Sequence, residues 1–220
     1  MRSISAGYWA GARAVAPLAP VIGVVGVLFG YLATAAGLTP AAAIVMSATT
    51  FAGSAQFAAV AIVGAGGTIA AAVAAAALLN ARYAILGISA APEISGSPLK
   101  RLLVAQFVVD ETWAIAYAGD GRFEIARLIG AGSVLFVVHV LSTAFGSFGG
   151  SLVADPTKFG LDAAFPALFV VLLRPHLTAP AAMVAAAAGA AIALSLAPFV
   201  PAGIPIVAAA AASLIGSRLG

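Results

Sequence analysis

The run VAPLAPVIGVVGVLFGYLATAA, Val15 to Ala36, holds 22 residues and no charged side chain. A helix of that length reaches about 33 Å, enough to cross a hydrocarbon core of about 30 Å. A secretory leader has an apolar core of only about 7–15 residues. Arg2 and Arg13 ahead of the run, and the small residues Ala33 and Ala35 near its end, therefore do not mark a cleaved signal. The stretch predicts a retained first transmembrane helix.

The rest of the chain has the same character. Of 220 residues 63% are hydrophobic and 8% charged, and mean hydropathy is +1.15. A soluble domain carries about 25% charged residues, so this composition cannot cover a water-facing surface. The expected fold class is all-α: one polytopic transmembrane helix bundle over residues 1–220. Alanine supplies 58 residues, mostly in apolar stretches. Such helices suit contact with one another, where small side chains let backbones approach. With no cysteine, disulfides, iron–sulfur clusters, thiolate zinc sites and cysteine nucleophiles are excluded together. Two histidines are too few for a histidine-only catalytic metal centre. The net charge of +3, with no basic run beyond Lys100-Arg101, is not a nucleic-acid footprint. H-E-x-x-H, Walker A and G-x-S-x-G motifs are missing from the sequence. The reading is of a non-enzymatic membrane protein without cofactor or metal.

Seven or eight segments follow from the breaks in apolarity, some of them broken or re-entrant. After Val15–Ala36 come Pro40 to about Val63, Thr68–Ala90, Arg101–Ala118, Leu128 to about Phe148, Leu161–Leu173, Pro180–Ala197 and Pro201 to about Ser217. Gly119–Arg127 reads as a charged loop. The sixth segment has thirteen residues, about 20 Å of helix, short of a bilayer. With a cytoplasmic N-terminus and eight crossings, Arg2, Arg13, Arg122, Arg127, Arg174 and Arg218 fall inside, against Lys100, Arg101 and Lys158 outside. Phe29-Gly30 followed by Pro40, and Phe145-Gly146 followed by Pro156, repeat at an offset of 116 residues and hint at an internal duplication. Repeat-built transporters place their sites at corresponding broken segments. Gly26/Gly30 and Gly146/Gly150 have the G-x-x-x-G spacing of helix contacts.

The costliest groups are Asp110 and Glu111, about 13 Å into the fourth segment. A charge near a helix centre costs about 2.5–3.5 kcal/mol on insertion scales. Arg82 lies nine residues before Ala91 and Asp110 nine after Arg101, so an antiparallel pair of segments sets both at one depth. An ion pair there lowers the cost of both. The competing structural reading has Arg82 snorkelling to an interface and the carboxylates capping helix ends. In the second segment Ser47, Thr50 and Ser54 share a helical face at i, i+3 and i+7. Gly53 permits a local break, and Gln56 offers an amide to a ligand or to a neighbouring helix. Asp162 and Pro166 sit in the sixth segment, where proline frees a carbonyl and Asp162 also fits a simple helix cap. His139, in the fifth segment, is either an interior histidine or a proton relay.

In order along the chain, Met46-Ser47 leading into Phe51-Ala52-Gly53-Ser54-Ala55-Gln56-Phe57, then Asn80-Ala81-Arg82-Tyr83, Asp110-Glu111-Thr112 and Gly160-Leu161-Asp162-Ala163-Ala164-Phe165-Pro166-Ala167-Leu168-Phe169, resemble the AzlC family. Pro201-Ala202-Gly203 before an apolar helix is similar as well. Tyr83 stands where a histidine is expected. That family is the large subunit of LIV-E type branched-chain amino acid exporters. The resemblance implies export of Val, Leu, Ile or Met across a bacterial cytoplasmic membrane, together with a small AzlD-type membrane subunit. On that reading Ser47, Thr50, Gly53, Ser54, Gln56, Asn80, Asp162 and Pro166 bind the zwitterion. Arg82, Asp110, Glu111 and His139 supply charge pairing or proton coupling. The alternative from another class is a non-transporting scaffold whose polar groups only pack the bundle and seat a partner. An aspartyl pair of Asp110 and Asp162 in an intramembrane enzyme lacks supporting motifs.

Overall fold

The computed structural model describes residues 4–149, 170, 174, 177–200 and 204–209. Among these the chain runs α1 (Ile4–Val15), a 3₁₀ turn (Ala16–Leu18), α2 (Ala19–Ala35), α3 (Pro40–Thr50), α4 (Gly53–Gly64) and α5 (Ile69–Ala90). Then follow α6 (Pro98–Ala105), α7 (Asp110–Ala116), a hairpin of β1 (Tyr117–Gly119) and β2 (Arg122–Phe123), α8 (Ile125–Gly149), α9 (Pro180–Leu196) and α10 (Ile204–Ala209). Ser5–Ala35, Ile69–Glu93 and Ile125–Gly149 are long and apolar enough to cross a membrane, while Pro40–Thr50, Gly53–Gly64 and Pro180–Leu196 are shorter apolar helices. Asp162, Pro166, all of the Leu161–Leu173 segment but Val170, and most of Pro201–Ser217 lie outside the described residues.

Several expectations are corrected. The first helical stretch begins at Ile4, not Val15. Pro17 removes an N–H and tightens the chain into the 3₁₀ turn without ending it. The second and fourth segments are each two helices. Pro40–Val63 is interrupted at Phe51-Ala52, and Arg101–Ala118 at residues 106–109. In place of a loop over Gly119–Arg127, α8 begins at Ile125 and a two-stranded antiparallel hairpin spans Tyr117–Phe123. Its turn residues Asp120 and Gly121 have φ of 51° and 72°, the left-handed pair that an Asp-Gly turn favours.

The chain divides into two compact units. One comprises Met1–Thr34, Leu38–Gly53 and Asn80–Gly150; the other comprises Ala35–Gly37, Ser54–Leu79 and Ser151–Gly220. In the second unit α4 is apolar around its circumference and buries Ala55 to Val60 and Ile62. Gly66, at φ 76°, turns the chain out of this helix as its N–H reaches Val63 O and that of Gly67 reaches Ile62 O. Thr68 then caps α5 by accepting the Ala71 N–H at 3.2 Å.

The first unit is assembled on α8. The stretch α1–α2 lies against it and runs in the same direction, and glycine sets the separation. A Cβ on Gly11 would stand 2.0 Å from Arg127 O, and one on Gly130 2.0 Å from Tyr8 O. Nearer the other end, a Cβ on Gly30 would meet Thr143 O at 2.1 Å, and one on Gly146 would meet Val27 O at 2.0 Å. The pairs Gly30–Thr143 and Val27–Gly146 interchange under an offset of 116 residues. Gly11–Arg127 and Tyr8–Gly130 interchange under 119, the three extra residues matching the 3₁₀ turn Ala16–Leu18. Each helix therefore offers the other the same arrangement of glycine and carbonyl.

Gly146→Ala is expected to lower stability by about 1–3 kcal/mol, because its methyl must displace backbone rather than a flexible side chain. Gly87, with nothing within 4 Å of its Cβ position, should tolerate alanine or gain about 0.5–1 kcal/mol. Unfolding of the two variants in detergent against the parent measures the contrast.

Candidate functional site

The first break follows from how α3 begins and ends. Thr39 opens it by accepting the Ala42 N–H at 3.1 Å, with Pro40 at the first helical position, where no N–H is needed. Phe51 closes it in the left-handed region at φ 42°, ψ 46°. That conformation costs a β-carbon residue about 1–2 kcal/mol. Packing holds it there: the Phe51 ring meets Phe136 edge-on at 5.3 Å and His139 at 5.9 Å. Ser47, one turn before the break, is buried with its hydroxyl 2.9 Å from that of Thr143. Since the helix stops at Thr50, the shared face expected for Ser47, Thr50 and Ser54 does not exist. Ser47, Thr50 and Gly53 lie in the first unit, while Ser54 and Gln56 lie in the second. Gln56 is fully buried.

At the second break α6 ends at Ala105, and α7 starts at Asp110. The Thr112 hydroxyl accepts the Val109 N–H at 3.1 Å and donates to the Phe107 carbonyl. Gly132 of α8 makes room for Phe107, whose β-carbon lies 2.5 Å from where a glycine Cβ would stand. Phe107 then reaches the same Phe136 ring at 5.9 Å. Asp110 and Glu111 are consequently first-turn residues of a short helix, not residues at the middle of a long one. This position explains two adjacent carboxylates, because the positive end of a helix favours negative charge.

Arg82 and Asp110 meet as their matched depths require, with guanidinium nitrogen and carboxylate oxygen 2.9 Å apart. The same nitrogen donates to the Tyr83 hydroxyl at 3.3 Å, and the Arg82 carbon Cζ stands 5.0 Å from the centre of the Tyr83 ring. The side chains of the ion pair are 40% and 45% exposed. Three residues before Tyr83 on the same helix, Asn80 holds a buried side-chain oxygen that has no hydrogen-bond partner among the described residues. Such an acceptor is costly to leave unmade. His139 is 3% exposed and stacks on Phe29 at 6.4 Å as well as touching Phe51. The first unit thus brings Ser47, Thr50, Gly53, Asn80, Arg82, Asp110, Glu111 and His139 into one body.

One residue of the site escaped the sequence reading. The Gln106 side-chain nitrogen donates to Ala48 O at 3.0 Å and to Thr49 O at 3.2 Å. Its only signal was an amide amid apolar residues, the same property that singled out Gln56. Chemically, the unit combines a half-exposed cation–carboxylate pair, an unsatisfied acceptor and two interrupted helices. That combination suits a small solute bearing both charges, and no cluster able to hold a metal ion occurs among the described residues.

Residues 17–153, well over half of the chain, match the family model described as AzlC protein. No curated protein matches, and no solved structure does.

Removing the Ser47 hydroxyl alone leaves Thr143 buried with one partner fewer, and Ser47→Ala should cost about 1–3 kcal/mol. Combining it with Thr143→Val removes both halves of the contact. The double variant should then lose less than the two single losses added, a non-additivity read by unfolding the four proteins in parallel.

Proposed function

The chain belongs to the AzlC family, membrane proteins associated with branched-chain amino acid transport, and on that premise we propose that it exports Val, Leu, Ile or Met from a bacterial cytoplasm as a secondary, proton-coupled transporter. A small AzlD-type membrane subunit completes the exporter in the cytoplasmic membrane, and the N-terminus faces the cytoplasm.

The observation that carries this reading is the half-exposed Arg82–Asp110 pair at the start of an interrupted helix. An amino acid crosses as a zwitterion. Its ammonium needs an acceptor, a role for Asp110 with the unsatisfied oxygen of Asn80. Its carboxylate needs donors, which interrupted helices supply through backbone N–H groups. Asp162 and Pro166 remain part of the proposed site on the family resemblance alone. Asp110 or Glu111 carries the proton, taking it up on one side and releasing it on the other as access alternates.

The scaffold alternative predicts that the same groups matter only for packing, and magnitudes separate the two. Asparagine keeps the shape of the side chain and an oxygen that can still accept from Arg82. Asp110→Asn should therefore leave the protein folded in the membrane. It should nevertheless reduce valine efflux at least about tenfold, a barrier change of roughly 1.4 kcal/mol, and remove its dependence on external pH. The measurement is cytoplasmic valine in cells fed valine-containing dipeptides, with and without the chain and its small subunit. Undiminished, proton-dependent efflux in Asp110→Asn excludes that residue from the role. Equal valine levels with and without the chain favour the scaffold.

A further inference from the structure

Breaking a helix leaves its last carbonyls without intrahelical N–H partners. In the membrane interior each such group is expensive, since no water replaces the missing donor. At the end of α3, the Phe51 N–H returns to Ser47 O. The next two carbonyls, of Ala48 and Thr49, are both served by one side-chain amide, that of Gln106. An amide NH₂ carries two donor hydrogens, so a single group can satisfy both. Gln106 is not an incidental neighbour, because it is the residue at which α6 stops, its own N–H bonding back to Leu102 O. The amide that ends one broken segment therefore completes the other, across 57 and 58 residues of sequence.

Apolar packing joins the same two places. Phe51 of the first break and Phe107 of the second both meet the Phe136 ring edge-on, at 5.3 and 5.9 Å. Phe51 and Val109 also share one buried cluster with Val15, Ala131 and Leu135.

We infer that Gln106 binds the two helix breaks into one rigid element, so that they shift together in transport, and that it is a positioning residue for translocation and not a ligand of the solute. The inference rests on the transport reading above. Its chemical content is specific: position 106 must donate, it must reach two carbonyls, and it acts on the rate of movement instead of on solute affinity.

The test uses the full chain in cells with its small subunit. Gln106→Leu, which cannot donate, and Gln106→Glu, which presents an acceptor to two acceptors, should each lower the maximal rate of valine efflux about tenfold. Half-saturation should stay within about twofold, as expected for an interaction absent from solute binding. Gln106→Lys restores a long-reaching donor and should recover at least about half of the rate. Equal rates in the Leu and Lys variants would overturn the inference, as would a change confined to half-saturation.

Amide hydrogen exchange reads the tie without transport: residues 51–53 and 107–109 should open together in Gln106→Leu. If the parent moves no valine but this joint opening is seen, the transport reading fails and the tie stands. Opening at one break alone overturns the tie. Gln106→Asn, one methylene shorter, serves for exchange where the leucine variant does not accumulate.

Discussion

Close backbone contact between α1–α2 and α8 is the constraint on which the rest of the first unit depends. The apolar residues of these helices gain little by leaving lipid for one another, since lipid tails are as apolar as leucine. Association must come from contact at short range, and glycine supplies it where carbonyl oxygens of the opposite helix occupy the space of a side chain. With α8 held in place, its other faces become a template. Thr143 receives Ser47 of α3, Gly132 receives Phe107, and Phe136 and His139 receive Phe51.

That template makes two interrupted helices tolerable. Each interruption strands backbone groups, and a polar group buried without a partner costs about 1–3 kcal/mol by protein mutational data. At the two breaks those partners are neutral side chains, Thr112 at one and Gln106 at the other. Arg82 and Asp110 answer each other's charge, and removing either would leave the other unpaired.

Much of this architecture was legible in the sequence. The apolar spans, the glycine spacings and the depth match of Arg82 with Asp110 all rest on local rules. A local break at Gly53 was also expected, but its left-handed residue at Phe51 and the second interruption, at residues 106–109, did not follow from those rules. Phenylalanine is a poor candidate for a left-handed turn, and Phe51 adopts one only because aromatic rings from distant α8 hold it. At residues 106–109 no glycine or proline announces a stop, so Asp110 and Glu111 looked central when they open a new helix. The Asp120-Gly121 hairpin carried a readable turn signal, but its flanking strands are only three and two residues long. Gln106 was invisible for a simpler reason: its partners are backbone oxygens, and a sequence does not display which of those are left over.

The interchange of contacts between the two glycine helices has a consequence for assembly. A seam whose sides can be exchanged is isologous, the kind of surface two identical subunits form about a twofold axis. Here both sides belong to one chain, so during synthesis the first helix exposes a face that also fits a second copy of itself. What favours α8 is covalent connection: closure within one chain needs no second molecule, and its cost grows only slowly with the length of chain between the two helices.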